Sequence, residues 1–160
     1  MNRRQKNIVR DFASVIIITV VAVVGMISFK DLVNRSEAMR AMEHLGQVVL
    51  QYKKDYGATP AESYIDSIKG NLPGHTRLGK LNYRAQWIEY DPSGDEILAY
   101  TQTRNHSPFL EDGFIVLRLN GNVELIEEQK FAKLLAAQQS RREIEMLNNT
   151  LQKTQQTLSD

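Results

Sequence analysis

Residues Phe12 to Phe29, FASVIIITVVAVVGMISF, form an uncharged apolar block of about 18 residues, close to the ~20 an α-helix needs to cross a bilayer core of about 30 Å. The block is apolar on every side, so it predicts a membrane-crossing helix. From Asp31 to Tyr56 the pattern changes: Leu32, Met39, Met42, Leu45, Val48, Val49 and Tyr52 recur at steps of three and four. Arg35, Glu37, Arg40, Glu43, Gln47, Lys53 and Lys54 occupy the opposite face, as in an amphipathic helix. No proline separates the two patterns, so one long helix is expected, stopping at Gly57 and Pro60.

Gly, Pro, Ser and Asn then crowd residues 57–80, a connecting region with room for a short helix at Ala61 to Ile68. Strand patterns follow at Tyr83 to Tyr90 and Ile97 to Thr103, around the turn residues Asp91-Pro92-Ser93-Gly94-Asp95. A second pair, Phe114 to Leu119 and Val123 to Ile126, flanks Asn120-Gly121-Asn122, where Asn and Gly tolerate the positive φ of a tight hairpin. After Glu127 the pattern is helical again, with Phe131, Leu134, Leu135, Ile144, Leu147, Leu151 and Leu158 marking an apolar stripe. Ile144, Leu147, Leu151, Thr154 and Leu158 alternate steps of three and four, about two heptads. The tail therefore reads as an interaction element, either a partner-dependent helix or a self-associating coiled coil.

These patterns predict an α+β chain. A basic tip (residues 1–11) precedes a transmembrane helix (12–29), which continues into a stalk helix (30–56) packed on a loop region and a small antiparallel sheet of about four strands (57–127). A helical tail (128–160) closes the chain.

Charge orients the span. Arg3, Arg4, Lys6 and Arg10 crowd its N-terminal flank while Lys30 and Asp31 nearly cancel after it, so the positive-inside bias places the N-terminus in the cytoplasm and the rest beyond the membrane. The apolar run is longer than the ~7–15 residues of a secretory signal and lacks a small-x-small cleavage site, which favours an uncleaved anchor. With 160 residues and a net charge of +1, the chain suits one small domain with extensions and has no basic footprint for nucleic acid. It contains no cysteine, which excludes disulfides, thiolate metal sites and a cysteine nucleophile.

Candidate chemistry is sparse. Gly74-His75-Thr76-Arg77-Leu78-Gly79-Lys80 matches the phosphate-loop pattern GxxxxGK, but Leu81 lacks the hydroxyl that would ligate magnesium, and strand and helix patterns do not flank it. His44, His75 and His106 show no ligand spacing. The carboxylates Asp91, Asp95, Glu96, Glu111 and Asp112 do not follow a calcium-loop pattern, and no serine stands in a GxSxG elbow. The expectation is a protein that binds rather than catalyses, with no catalytic residue, cofactor or metal.

The basic tip, the span running unbroken into a helix, and the phrase from Ala41 to Pro60 resemble the type IV pilin superfamily, and in style the pseudopilins of type II secretion. In those pseudopilins a similar helix ends in Tyr-x-x-Asp-x-Gly-x-x-Pro, which Tyr52, Asp55, Gly57 and Pro60 match here. The closing hairpin around Asn120-Gly121-Asn122-Val123-Glu124 is also similar to the family's last hairpin. The family carries a glycine before the span, where a peptidase cuts, then phenylalanine, and a glutamate at the fifth mature position. With Phe12 as that phenylalanine, Asp11 and Ile16 stand in place of the glycine and the glutamate, and residues 128–160 are an addition.

The resemblance implies a single-pass protein of a bacterial inner membrane, its C-terminal domain periplasmic, serving as a structural or assembly component of a secretion or pilus-type apparatus. The span would pack laterally on other membrane or pilin-like subunits, with Gly25 as a close-contact point. The sheet would offer a docking face, and Ile144, Leu147 and Leu151 would hold a partner or a second copy. The alternative is a bitopic periplasmic adaptor or regulator that uses sheet and tail for protein binding outside any filament.

Overall fold

A computed structural model of the chain describes residues 3–88, 93–107, 109–139, 143, 144, 146 and 148. The fold is α+β. Helix α1 (Arg3–Tyr56) runs 54 residues without interruption, about 80 Å at 1.5 Å per residue. Among its described residues the apolar window is entirely unburied by the rest of the chain. The C-terminal half is different: Ala38, Ala41, Met42, Leu45 and Val49 are buried, forming a stripe at helical spacing against a sheet. At about 1.5–3 kcal/mol per fully buried large apolar side chain, Met42, Leu45 and Val49 alone supply a substantial part of the docking energy.

The end of α1 shows why the Tyr-x-x-Asp-x-Gly-x-x-Pro phrase matters locally. Gly57 takes φ +76, and its N–H donates to the Lys53 carbonyl at 2.8 Å, a left-handed cap that ends the helix. Pro60 is buried and accepts a hydrogen bond from the Tyr83 hydroxyl at 3.0 Å. Tyr52 packs on Tyr56 and Tyr64 with ring centroids 4.5 and 5.1 Å apart. Helix α2 (Glu62–Lys69) follows, matching the expected short helix, and buries Ile65.

The sheet has four antiparallel strands in sequence order: β1 (Leu81–Tyr83), β2 (Ile97–Thr103), β3 (Gly113–Arg118) and β4 (Val123–Glu127). One face, with Ala99, Ile115, Leu117, Val123 and Leu125, meets α1. A register shift between Ile97 and Ala99 marks a bulge in β2. The β3–β4 hairpin falls where expected, but among the described residues Gly121 supplies its positive φ (+88) and neither asparagine does. Instead the Asn120 side chain accepts a hydrogen bond from the Asn122 N–H at 2.9 Å.

The expected strand Tyr83 to Tyr90 is corrected. Strand β1 stops at Tyr83, and Ala85–Trp87 form a single 3₁₀ turn, while residues 89–92 lie outside the described set. The chain leaves the extended conformation at Arg84 (φ −114, ψ 6), whose side chain is buried. The expected docking face of the sheet is also occupied. Helix α3 (Glu128–Gln138) lies across it, with Phe131 stacked on Phe114 at 4.0 Å and close to Tyr100 at 4.9 Å. Ile97 and Val116 complete this second core. The tail stripe is not one helix either, because Gln139 is extended at φ −76, ψ 127.

Two glycines let α1 and the hairpin approach. A Cβ on Gly46 would come within 2.8 Å of Leu117 Cδ1, and one on Gly121 within 2.6 Å of Leu50 Cδ1. Gly121→Ala adds the strain of a left-handed residue to that contact, so it is expected to lower the unfolding free energy by about 1–2 kcal/mol or more. Chemical denaturation of the detergent-solubilised protein measures this, and an unchanged midpoint would contradict the packing described.

Candidate interaction surfaces

At the membrane-proximal end, the α1 stripe can be followed toward the N-terminus through Arg35 and Asp31 to Ser28 and Val24, each step three or four residues. Asp31 therefore faces the domain and is 4% exposed. Its Oδ2 accepts the backbone N–H groups of His106 and Ser107 at 2.6 and 2.7 Å, and the Ser28 and Ser107 hydroxyls lie 2.7 Å apart. Arg35 donates to the Glu111 carbonyl at 3.1 Å, so the β2–β3 loop (residues 104–112) is held by three residues of α1. Burial alone would raise the Asp31 pKa, but the two amides, with the His106 side chain, outweigh it and hold the carboxyl below its ordinary value.

At the sheet edge, Arg84 and Glu143 form a second buried centre, 4% and 3% exposed. Arg84 Nε and Nη2 donate to the two Glu143 oxygens at 2.9 and 2.8 Å, a bidentate pair. Its Nη1 donates to the Ile97 carbonyl at 3.0 Å and its Nη2 also to the Gln138 carbonyl at 3.2 Å. The Gln138 side chain accepts the Ile97 N–H at 2.9 Å. One guanidinium thus joins β2, the end of α3 and Glu143 beyond it.

At the far end of α1, Tyr52, Tyr56 and Tyr64 with Gln47, Val48, Gln51 and Asp55 line a shallow groove of about 480 Å³. Tyr56 is 72% exposed. Its neighbour Asp55 accepts the Gln51 side-chain amide at 2.9 Å.

The expected site residues are not brought together. Gly25 lies on the bare span, where an added Cβ would meet nothing within 4 Å. Ile144 is 43% exposed beside the Arg84–Glu143 pair, while Leu147 and Leu151 lie outside the described residues. The GxxxxGK stretch sits between α2 and β1, with 3₁₀ residues at His75–Arg77, so it has neither the preceding strand nor the following helix of a phosphate loop. Gly74, at φ +78, packs against the Glu37 carbonyl and Arg77 pairs with Glu37 at 3.3 Å: the loop braces α1. Among the described residues, no group of three metal-ligating side chains occurs.

Sequence reasoning missed Asp31 and Arg84 as organising residues. Asp31 had a signal, its place on the core-facing stripe. Arg84 had none, since its partner is 59 residues away. Compared with family models, curated proteins and solved structures, the chain matches none.

Two outcomes test these centres. Glu143→Ala leaves a buried guanidinium without its carboxylate and is expected to destabilise by about 3–5 kcal/mol, whereas the double change Arg84→Met, Glu143→Leu should recover most of that loss. Urea titration of the three proteins measures it, and equal midpoints for wild type and Glu143→Ala would show that the pair contributes nothing. For Asp31 the folded pKa is depressed, so the ionised carboxylate favours the folded state. Its contribution is complete above the ordinary value of 3.8 and is lost as pH falls below it, through the depressed value. Thermal melts of wild type and Asp31→Asn from neutral pH downward should converge in acid, and a constant gap would refute the linkage.

Proposed function

We propose that this protein is a membrane-anchored, pseudopilin-like structural or assembly component of a secretion or pilus-type envelope apparatus in a bacterial inner membrane. Its N-terminus is cytoplasmic and its folded domain periplasmic. The supporting observation is α1 itself: one unbroken helix with an apolar, largely exposed stretch at residues 12–29 and a second half that carries an antiparallel sheet. Such a chain acts by binding. The bare span packs laterally on other membrane helices, and Gly25 permits a close helix approach. The exposed Ile144 offers an apolar side chain to a partner or a second copy.

The second reading, a bitopic adaptor that never enters a filament, is favoured by a specific pair of residues. Asp11 and Ile16 replace the glycine and glutamate that the pilin family uses for processing and filament register. Both readings share the anchor and differ in the neighbours.

Crosslinking in native membranes, followed by identification of the joined proteins, separates them. Links to a secretion or pilus platform, its motor or other pilin-like subunits support the assembly role; links confined to itself or to unrelated envelope proteins support the adaptor. In either case Gly25→Leu should reduce span-to-span links several-fold while leaving the domain's melting temperature unchanged, because among the described residues an added Cβ there meets nothing within 4 Å. Unchanged links would remove Gly25 from the contact.

A further inference from the structure

The β2–β3 loop carries Phe109, 77% exposed. A single exposed aromatic on a soluble surface requires no explanation. Its position along α1 is what sets this one apart. The loop is tied through Ser107 to Ser28, a residue of the apolar span, and Phe109 follows Ser107 by two residues, so their backbones are at most about 7 Å apart. The Phe109 N–H donates to the Ser107 hydroxyl at 3.2 Å, which keeps the chain turned tightly there.

The bilayer extends to this level. On α1 itself, Phe29, Leu32 and Val33 are 69%, 53% and 38% exposed, so apolar surface continues past Ser28 on the sides the loop does not cover. The interfacial zone beyond the hydrocarbon is roughly 5–7 Å deep on each side, about four residues of helix rise. Ser28 to Val33 therefore coincides with the lipid interface when α1 crosses the membrane. Within residues 12–29 the two positions that are half-buried are Val24 and Ser28, both on the Asp31 face. Protein cover on the span thus reaches one turn deeper than the Ser28–Ser107 contact.

We propose that the β2–β3 loop is a second membrane contact, in which Phe109 inserts into the lipid interface beside the exit of α1. The ligand is the bilayer itself. Asp31 and Ser28 hold the loop at that depth, and the exposed cations Lys30 and Arg104, close in sequence to Asp31 and Ser107, are available to headgroup phosphates. The inference rests on the reading of residues 12–29 as a span and adds that the folded domain sits on the membrane rather than standing clear of it.

The test uses the full chain in phosphatidylcholine vesicles whose acyl chains carry bromine both near the headgroup and at mid-chain. With Trp87→Phe removing the native tryptophan, single reporters are placed by Phe109→Trp, Ile18→Trp and Tyr56→Trp. The expected result is blue-shifted, bromine-quenched emission at positions 109 and 18 and unquenched emission at 56, which lies about 40 Å along the helix from Ser28. Quenching at 18 without quenching at 109 overturns the loop contact and leaves the anchor intact. Quenching at all three positions overturns it too, since the domain would then adhere without a preferred element. Quenching at none overturns the anchor reading together with the loop.

Discussion

One helix has to satisfy two solvents. Over residues 12–29 α1 exposes mainly apolar side chains, which water penalises and hydrocarbon does not. Over its second half it exposes one polar face and buries the other against a sheet. The change occurs within about a turn, at Lys30 and Asp31, without a break in the backbone hydrogen bonding of the helix. Everything else is arranged along that rod: the 3₁₀ turn at His75–Arg77 braces it at Glu37, the β3–β4 hairpin meets it at Gly46 and Leu50, and the β2–β3 loop grips it at Ser28 and Asp31.

Asp31 and Arg84 are charges placed where apolar residues would pack more simply. Neither needs to add much net stability, because removing a charge from water offsets most of what its partners return. Their effect is geometric. The carboxylate of Asp31 accepts two consecutive amide N–H groups, an arrangement met when the His106–Ser107 backbone faces the helix. The guanidinium of Arg84 fits a carboxylate and two carbonyls from three separate segments. Each charge therefore selects one arrangement of a loop or tail that hydrophobic contact alone would leave loosely defined.

Much of this architecture was legible in the residue pattern, and the exceptions share a cause. The span, the stalk, the short helix α2 and the β3–β4 hairpin are local features, set by periodicity and by turn residues within a few positions of one another. The misplaced first strand is non-local. The run Tyr83 to Tyr90 has strand-forming residues, yet Arg84 finds its partners at Ile97, Gln138 and Glu143, and those contacts override the local preference. The cover on the second face of the sheet was hidden for the same reason. Phe131 read as one position of a tail stripe, and its stacking on Phe114 depends on the chain folding back across the sheet. Of the expected contact residues, Gly25 and Ile144 lie at exposed positions, and Leu147 and Leu151 lie outside the described residues.

The covering of both sheet faces redirects the search for a binding surface. A partner cannot lie flat on the sheet without displacing α1 or α3, and displacing α3 would open the core built from Ile97, Val116 and Phe131. Among the described residues, what stays accessible is the apolar stretch of α1, the loop with Phe109, Ile144 beside the Arg84–Glu143 pair, and the tyrosine groove at the end of α1. The groove is lined by Tyr52, Asp55 and Tyr56 in the last turn of α1, directly before the Gly57 cap, so the end of the helix presents an aromatic tip. A protein laid out this way is suited to contacts along the axis of α1, with lipid or membrane helices at the apolar end and another protein at the far end. That geometry serves a subunit stacked in an assembly and an adaptor bridging membrane and partner equally well. The identity of the neighbours at the span therefore separates the two more sharply than any feature of the sheet.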